Sequence, residues 1–189
     1  MTKISCRQSL ILGLLAWFLP GCASEPAGRF FFDSIDPQDQ LLQQDFSQAQ
    51  ALRDQNGQIS CIFTSTQSQA DTNAVKQTCI LRTFWLPNRS HTSVSPSSTN
   101  VNLEYLIESA NSFAFYRGAG FALVKNIDSL SNMELDLRSS QIRLYRQTPG
   151  FKPSFIATNL TGRIKLDYAP EPAQNLIEQF DNKIRALTK

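Results

Sequence analysis

The stretch MELDLRSSQIRLYR, residues 133–146, alternates apolar and charged side chains in two short runs. Residues 133–138 and 141–146 both follow this pattern, and so do residues 162–168 (GRIKLDY). Successive side chains of a strand point to opposite faces, so each run has one apolar face and one charged face. The pattern predicts an antiparallel sheet with one face packed on a core and the other in water.

Other segments rich in β-branched and aromatic residues also read as strands. They are residues 59–65, 78–85, 112–117, 121–125 and 154–158. Residues 118–120 (Gly-Ala-Gly) predict a hairpin turn between two of them. Residues 101–108 fit either a strand or a helix. The three phenylalanines at 30–32 fit a first strand, a plug in the core or a membrane-facing aromatic patch.

Two amphipathic helices are predicted, one at each end of the domain. Residues 34–37 (Ser-Ile-Asp-Pro) resemble a helix start, helical spacing of apolar residues follows, and Asn56-Gly57 supplies a stop. The spaced positions are Leu42, Phe46, Ala49 and Leu52/Arg53. At the C-terminus they are Ala173, Leu176/Ile177, Phe180, Ile184 and Leu187. The predicted fold is therefore α+β: a curved antiparallel sheet of about six to eight strands with an N-terminal and a C-terminal helix.

The first residues have the layout of a secretory signal. Lys3 and Arg7 precede an apolar run over residues 10–19, and small residues flank Cys22. The run is too short to cross a bilayer, which needs about 20 apolar residues. The alternatives are an N-terminal membrane anchor and a buried core helix.

The residues Leu19-Pro20-Gly21-Cys22 resemble the lipobox of bacterial lipoprotein precursors. The resemblance implies cleavage before Cys22 and lipidation of its sulfur and amine. Pro20 departs from the small or β-branched residue usual at its position. Ala23 and Ser24 follow where an Asp would imply retention at the inner membrane, so the resemblance implies the outer membrane. It divides the chain into a signal peptide (1–21), a tether (22–29) and one domain (30–189).

Cys61 and Cys79 remain after cleavage, and we expect them to form a disulfide, because disulfides persist in exported proteins. The bridge would close a loop with 17 residues between the cysteines, worth about 3 kcal/mol. The chain has no C-x-x-C motif, which disfavours a redox pair. Its single histidine, His91, disfavours a zinc site. His91 lies in a Ser/Thr-rich segment, residues 88–100, which reads as a loop.

Charge and motifs exclude several classes of function. The chain has 18 basic and 16 acidic residues, and loss of Lys3 and Arg7 leaves 16 of each. Balanced charge argues against binding nucleic acid. The sequence contains no G-x-S-x-G, H-E-x-x-H or G-x-x-x-x-G-K-[ST] motif. We therefore expect no catalytic residues, no cofactor and no metal.

Charged residues on the strands leave two interpretations. Glu134 and Asp136 could act as a hydrolase pair, but a solvated face or cross-strand ion pairs explain them more simply. A candidate binding face is formed by Arg138, Arg143, Tyr145, Arg146 and Lys165, because arginine and aromatics are enriched in binding surfaces.

Three functions remain open at this point. The first is a lipid-anchored, non-catalytic interaction or assembly module with an envelope protein as its partner. The second is a carrier of a hydrophobic ligand, since a curved sheet and 13 phenylalanines could enclose an apolar pocket. The third is a carboxylate hydrolase.

Overall fold

The computed structural model describes residues 27–34, 42–67, 74–87, 98–127, 132–153 and 155–188. Within these ranges the chain forms nine strands followed by one helix. In order they are β1 (Gly28–Ser34), β2 (Leu42–Phe46), β3 (Gln48–Arg53), β4 (Ile59–Gln67), β5 (Val75–Thr83), β6 (Val101–Ser109), β7 (Ser112–Lys125), β8 (Met133–Gln147), β9 (Ala157–Tyr168) and α1 (Pro170–Leu187).

The sheet closes on itself into a cylinder. From β3 to β9 each strand pairs with the next in antiparallel fashion. The free edge of β9 then pairs with β1 and, over residues 167–168, in parallel with β3. β1 pairs in turn with β2. At the junction of β2 and β3 the Ser47 N–H donates to the Thr64 carbonyl at 3.1 Å, so these two strands act as one bent strand along the wall.

Every strand contributes side chains to one hydrophobic cluster inside the cylinder. At its centre three rings meet edge to face or tilted: Phe30 lies 5.3 Å from Phe46 and 5.2 Å from Phe63 between ring centroids. A closed sheet of about eight strands is just wide enough for side chains to fill it or for one small ligand to enter. The interior is therefore a packed core along most of its length.

Helix α1 packs against the outside of the cylinder. Its buried residues Ala173, Ile177, Phe180 and Ile184 form a second cluster with Ile62, Ile80, Leu106 and Phe115 on the outer face of the sheet. Arg82 links the two layers, donating to Glu104 and Asp181 at 2.6 Å each. The predicted C-terminal helix is thus confirmed, and it begins at Pro170, a residue suited to the first turn.

The predicted α+β class is wrong, because the segment assigned to the N-terminal helix forms β2 and β3. Gln44 and Phe46 point inward, the chain bends at Ser47, and the inward positions then become Ala49 and Ala51. Because of this shift, the inward residues Phe46 and Ala49 are three positions apart, which is also the spacing of residues on one face of a helix. Residues 35–37 of the predicted helix start lie outside the described residues.

Three other boundaries also differ from the prediction. Residues 118–120 make no turn, and β7 runs through them without a break. β8 likewise joins the two runs at 133–138 and 141–146. β1 begins at Gly28, so the last two residues of the predicted tether belong to a strand. Residues 101–108 lie in a strand, β6, and residues 30–32 form the predicted first strand, with Phe31 outward.

The predicted disulfide is not present: Cys61 and Cys79 are free, buried thiols. The register pairs Cys61 with Leu81 and Cys79 with Phe63, so the two cysteines are diagonal neighbours across β4 and β5. Diagonal neighbours are about 7–8 Å apart, whereas bridged cysteines have Cα atoms about 4.4–6.8 Å apart.

This arrangement predicts two unreactive thiols in the folded protein. Burial raises the pKa of Cys61 to about 12 and raises that of Cys79 also, so at pH 8 only about one Cys61 in ten thousand is the reactive thiolate. In a Cys6→Ser, Cys22→Ser chain without reductant, we expect Ellman's reagent to detect no thiol in buffer and two in urea. Detection of none in urea would show a disulfide instead.

Candidate functional site

One end of the cylinder contains a cavity of about 350 Å³. Strands β1 and β6 finish at this end, and β2 and β5 begin there. We call it the end cavity. It is lined by Phe32, Leu42, Gln43, Gln44, Val75, Gln77, Tyr105, Ile107, Phe151 and Phe155. Six of these ten side chains are purely apolar, and none of the ten is charged.

Aromatic rings form much of the cavity wall. Phe32 ends the inward-facing series of β1, and its ring centroid lies 5.4 Å from those of Tyr105 and Phe155. Phe155 in turn stacks on Tyr116 with a centroid separation of 4.6 Å. These contacts hold Phe32, Tyr105, Tyr116 and Phe155 against one another.

Two of these rings come from the connection between β8 and β9, which folds over this end. A turn brings the Phe151 N–H to the Thr148 carbonyl at 3.1 Å. Gly150 in that turn has φ +84°, a conformation that glycine adopts without strain. The Tyr116 hydroxyl then donates to the Phe155 carbonyl at 3.2 Å. These bonds place Phe151 and Phe155 against the cavity.

Four buried polar side chains lie at the same end: Gln44, Ser65, Gln77 and Tyr105. The Gln44 amide nitrogen donates to the Ser65 hydroxyl at 2.9 Å and to the Asp45 carbonyl at 2.6 Å. The Tyr105 hydroxyl donates to the Gln77 side-chain carbonyl. Buried polar groups need such partners, because an unpaired one costs about 1–3 kcal/mol.

Tyr105, which lines the cavity, and Tyr116, which contacts Phe155, both stay neutral. Burial raises the pKa of Tyr105 well above its ordinary 10, and the neighbouring Cys79 and Tyr116 raise it further. Burial also raises the pKa of Tyr116. Both hydroxyls therefore keep their protons and act as donors throughout the physiological pH range.

The carboxylates considered as a hydrolase pair are held in ion pairs on the outer face. The Lys125 ammonium lies 2.8 Å from Glu134. Asp136, whose side chain is only 7 % exposed, lies 2.9 Å from the Arg138 guanidinium and 3.5 Å from that of Arg163. Lys125 also approaches Asp136 at 3.9 Å. This network uses both carboxylates for structure.

The candidate binding face does not form one surface. Lys165 pairs in register with Glu134 near the start of β8. Tyr145, on the same strand, lies eleven positions further on, roughly 35 Å away at about 3.3 Å per residue. At that position the Arg117 guanidinium lies over the Tyr145 ring, 4.6 Å from the ring centroid. Arg143 and Arg146 are exposed on the part of β8 that contains Tyr145. Arg138 belongs to the ion-pair network of Asp136.

Several sequence-based predictions lie outside the described residues. These are the signal segment with Cys6 and Cys22, and His91 in the Ser/Thr-rich segment. In the part of the chain that the structure describes, no cluster of His, Cys, Asp and Glu could hold a metal ion. Over the same ranges, no helix combines the length and the apolar character required to cross a membrane.

The sequence reasoning missed Gln44, Gln77 and Tyr105. Gln44 lies within the predicted N-terminal helix, and Gln77 immediately precedes the strand predicted at residues 78–85. A signal was present for Tyr105, which lies in the alternating series from Val101 to Ile107. Glutamine at an inward position of a strand otherwise carries no signature that separates it from a surface residue.

No protein-family model, no curated protein and no solved structure matches this chain.

Proposed function

We propose that this protein binds a small, mostly apolar molecule in the end cavity and acts as its carrier. The observation that supports this most directly is the cavity itself: about 350 Å³ of space with an aromatic and aliphatic wall and a few buried polar groups. Ligand sites generally combine an apolar concave wall with a small number of placed polar groups, and the ends of closed sheets are a common location.

The volume limits the size of the ligand. A dry apolar cavity of about 150 Å³ accommodates benzene. The end cavity, at about 350 Å³, has space for two fused rings or a short branched chain. It lies at the small end of the range for ligand pockets, about 300–1,000 Å³.

The wall also supplies a driving force for binding. Moving apolar surface out of water is favourable by about 25 cal/mol per Å². A ligand that covers Leu42, Val75 and Phe151, which are partly or largely exposed, would bury apolar surface on both sides of the contact. The aromatic wall is already held in place, so little ordering of side chains would oppose binding.

We further propose that the carrier is attached to a membrane by lipid on Cys22, as the lipobox implies, and exchanges its ligand with an envelope protein. Two acyl chains or more are needed for a durable anchor. A purely protein-binding module has less support, because the five residues predicted for its face are divided between distant parts of β8 and β9.

Native mass spectrometry of gently extracted protein tests the carrier function. We expect the wild-type chain to retain a small molecule, and Val75→Trp to lose it because the new ring fills the cavity that Val75 lines. Lys76→Trp is the matched control, since the exposed Lys76 lies on the outer face. Wild-type protein that always appears at the bare chain mass would contradict the proposal.

A further inference from the structure

Gln77 stands out among the residues of the end cavity because half of its amide has no partner. The side-chain carbonyl accepts the Tyr105 hydroxyl. The amide nitrogen donates to no group among the described residues, although Gln77 is only 8 % exposed and lines the cavity. The nitrogen is not among the fully buried polar atoms that lack a partner, so an acceptor in the cavity can reach it.

Tyr105 fixes the orientation of that amide. Tyr105 is only 2 % exposed, and its hydroxyl keeps its proton because burial raises its pKa well above 10. The hydroxyl donates to the Gln77 side-chain oxygen, which can act only as an acceptor. The two N–H groups of Gln77 are thus the side of the amide left for a ligand.

The charge of the ligand follows from the lining of the cavity. No described residue of the lining carries a charge. Six charged residues adjoin lining residues along the chain: Asp33, Asp45, Lys76, Glu104, Glu108 and Lys152. Asp45, Glu104 and Glu108 are paired with Arg29, Arg82 and Lys183, while the side chains of Asp33, Lys76 and Lys152 are exposed to water. An ionised ligand group would therefore lose its hydration without gaining a counter-charge, which is costly.

We propose that the end cavity selects a neutral molecule whose apolar body carries a carbonyl-type acceptor, such as a ketone, a quinone, an ester or an amide, and that Gln77 donates to that acceptor. This inference rests on the proposed carrier function and specifies the chemistry of its ligand. Gln77 is the specificity-determining residue, and the aromatic wall holds the body of the ligand.

Three bicyclic probes of similar shape test the inference with the purified full chain: 2-acetylnaphthalene, 2-isopropylnaphthalene and 2-naphthoate. Their dissociation constants are measured by calorimetry for the wild type, Gln77→Met and, as a control, Gln48→Met on the exposed part of β3. We expect the ratio of ketone affinity to hydrocarbon affinity to fall about fivefold in Gln77→Met, the usual size of one neutral hydrogen bond. Gln48→Met should leave the ratio unchanged.

The outcomes separate this inference from the carrier function. We expect the ketone to bind the wild type at least about tenfold more tightly than the carboxylate, a comparison that needs no variant. Equal binding of the two would overturn the selection of a neutral ligand, and an affinity ratio unchanged in Gln77→Met would overturn the role of Gln77. Either result would leave the carrier function standing. Binding of none of the three probes would overturn both.

Discussion

Phe30→Ala is expected to lower the free energy of unfolding by about 3–5 kcal/mol. The side chain is fully buried and lies against the rings of Phe46 and Phe63 in the middle of the cylinder. Its removal leaves a cavity that the rigid strands around it cannot close, so the lost contacts add to the lost transfer free energy. Urea unfolding followed by far-ultraviolet circular dichroism measures the change.

The adjacent residue provides the control. Phe31→Ala removes the same atoms from the outer face, where the side chain is 37 % exposed, and should cost about 1 kcal/mol or less. Similar losses for the two variants would contradict the inward position of Phe30. They would also contradict the register that pairs β1 with β9, because a slip of one residue would exchange the two faces.

Gly118→Ala is expected to destabilise the protein by about 3 kcal/mol or more, or to prevent folding. A Cβ atom at Gly118 would lie 1.9 Å from the Gln141 carbonyl oxygen and 2.7 Å from the Ile142 Cα. Both obstacles are backbone atoms of β8, so no side-chain rotation relieves them. The melting temperature measured by circular dichroism should drop steeply, or the variant should be recovered only as aggregate.

The control for this substitution is the next residue in the strand. Ala119 is exposed on the outer face, and valine suits an exposed strand position. Ala119→Val should therefore keep the free energy of unfolding within about 0.5 kcal/mol of the wild-type value. A stable Gly118→Ala protein would show that β7 and β8 are further apart at this point than the structure places them.

Local patterns predicted individual strands well where alternation is regular. Residues 133–138 and 162–168 repeat apolar and charged side chains with a period of two, and both lie in strands with the apolar face inward. The C-terminal helix was predicted for the same reason, since its buried positions keep a helical period. In these segments the burial of each side chain follows from its neighbours in sequence.

Closure of the sheet could not be predicted in this way. It depends on the pairing of β1 with β9, which joins residues 28–34 to residues 158–164. Such long-range pairing leaves no local pattern. Gly118 and Gly120 were read as a turn because glycine favours turns, but here they allow close approach of two strands. The bend at Ser47 produced helical spacing in a strand.

The end cavity could not be predicted from the sequence, for a related reason. Its lining comes from β1, β2, β5 and β6 and from the connection before β9, which meet only after the cylinder has closed. The abundance of phenylalanine did suggest an apolar pocket as one alternative. Phe30 and Phe32 lie two residues apart and face the same side of β1, and only Phe32 is close enough to the end of the cylinder to line the cavity.

The direction of β1 determines which end of the cylinder a lipid on Cys22 would hold near the membrane. Gly28 lies at the opposite end of the strand from Phe32 and the cavity, and it follows Cys22 by six residues. Six residues reach at most about 20 Å. An acyl anchor on Cys22 would therefore hold the Gly28 end of the cylinder toward the lipid and leave the end cavity on the side of the aqueous compartment. The ligand would then be exchanged with a protein docked at the cavity and would not diffuse directly into the lipid leaflet.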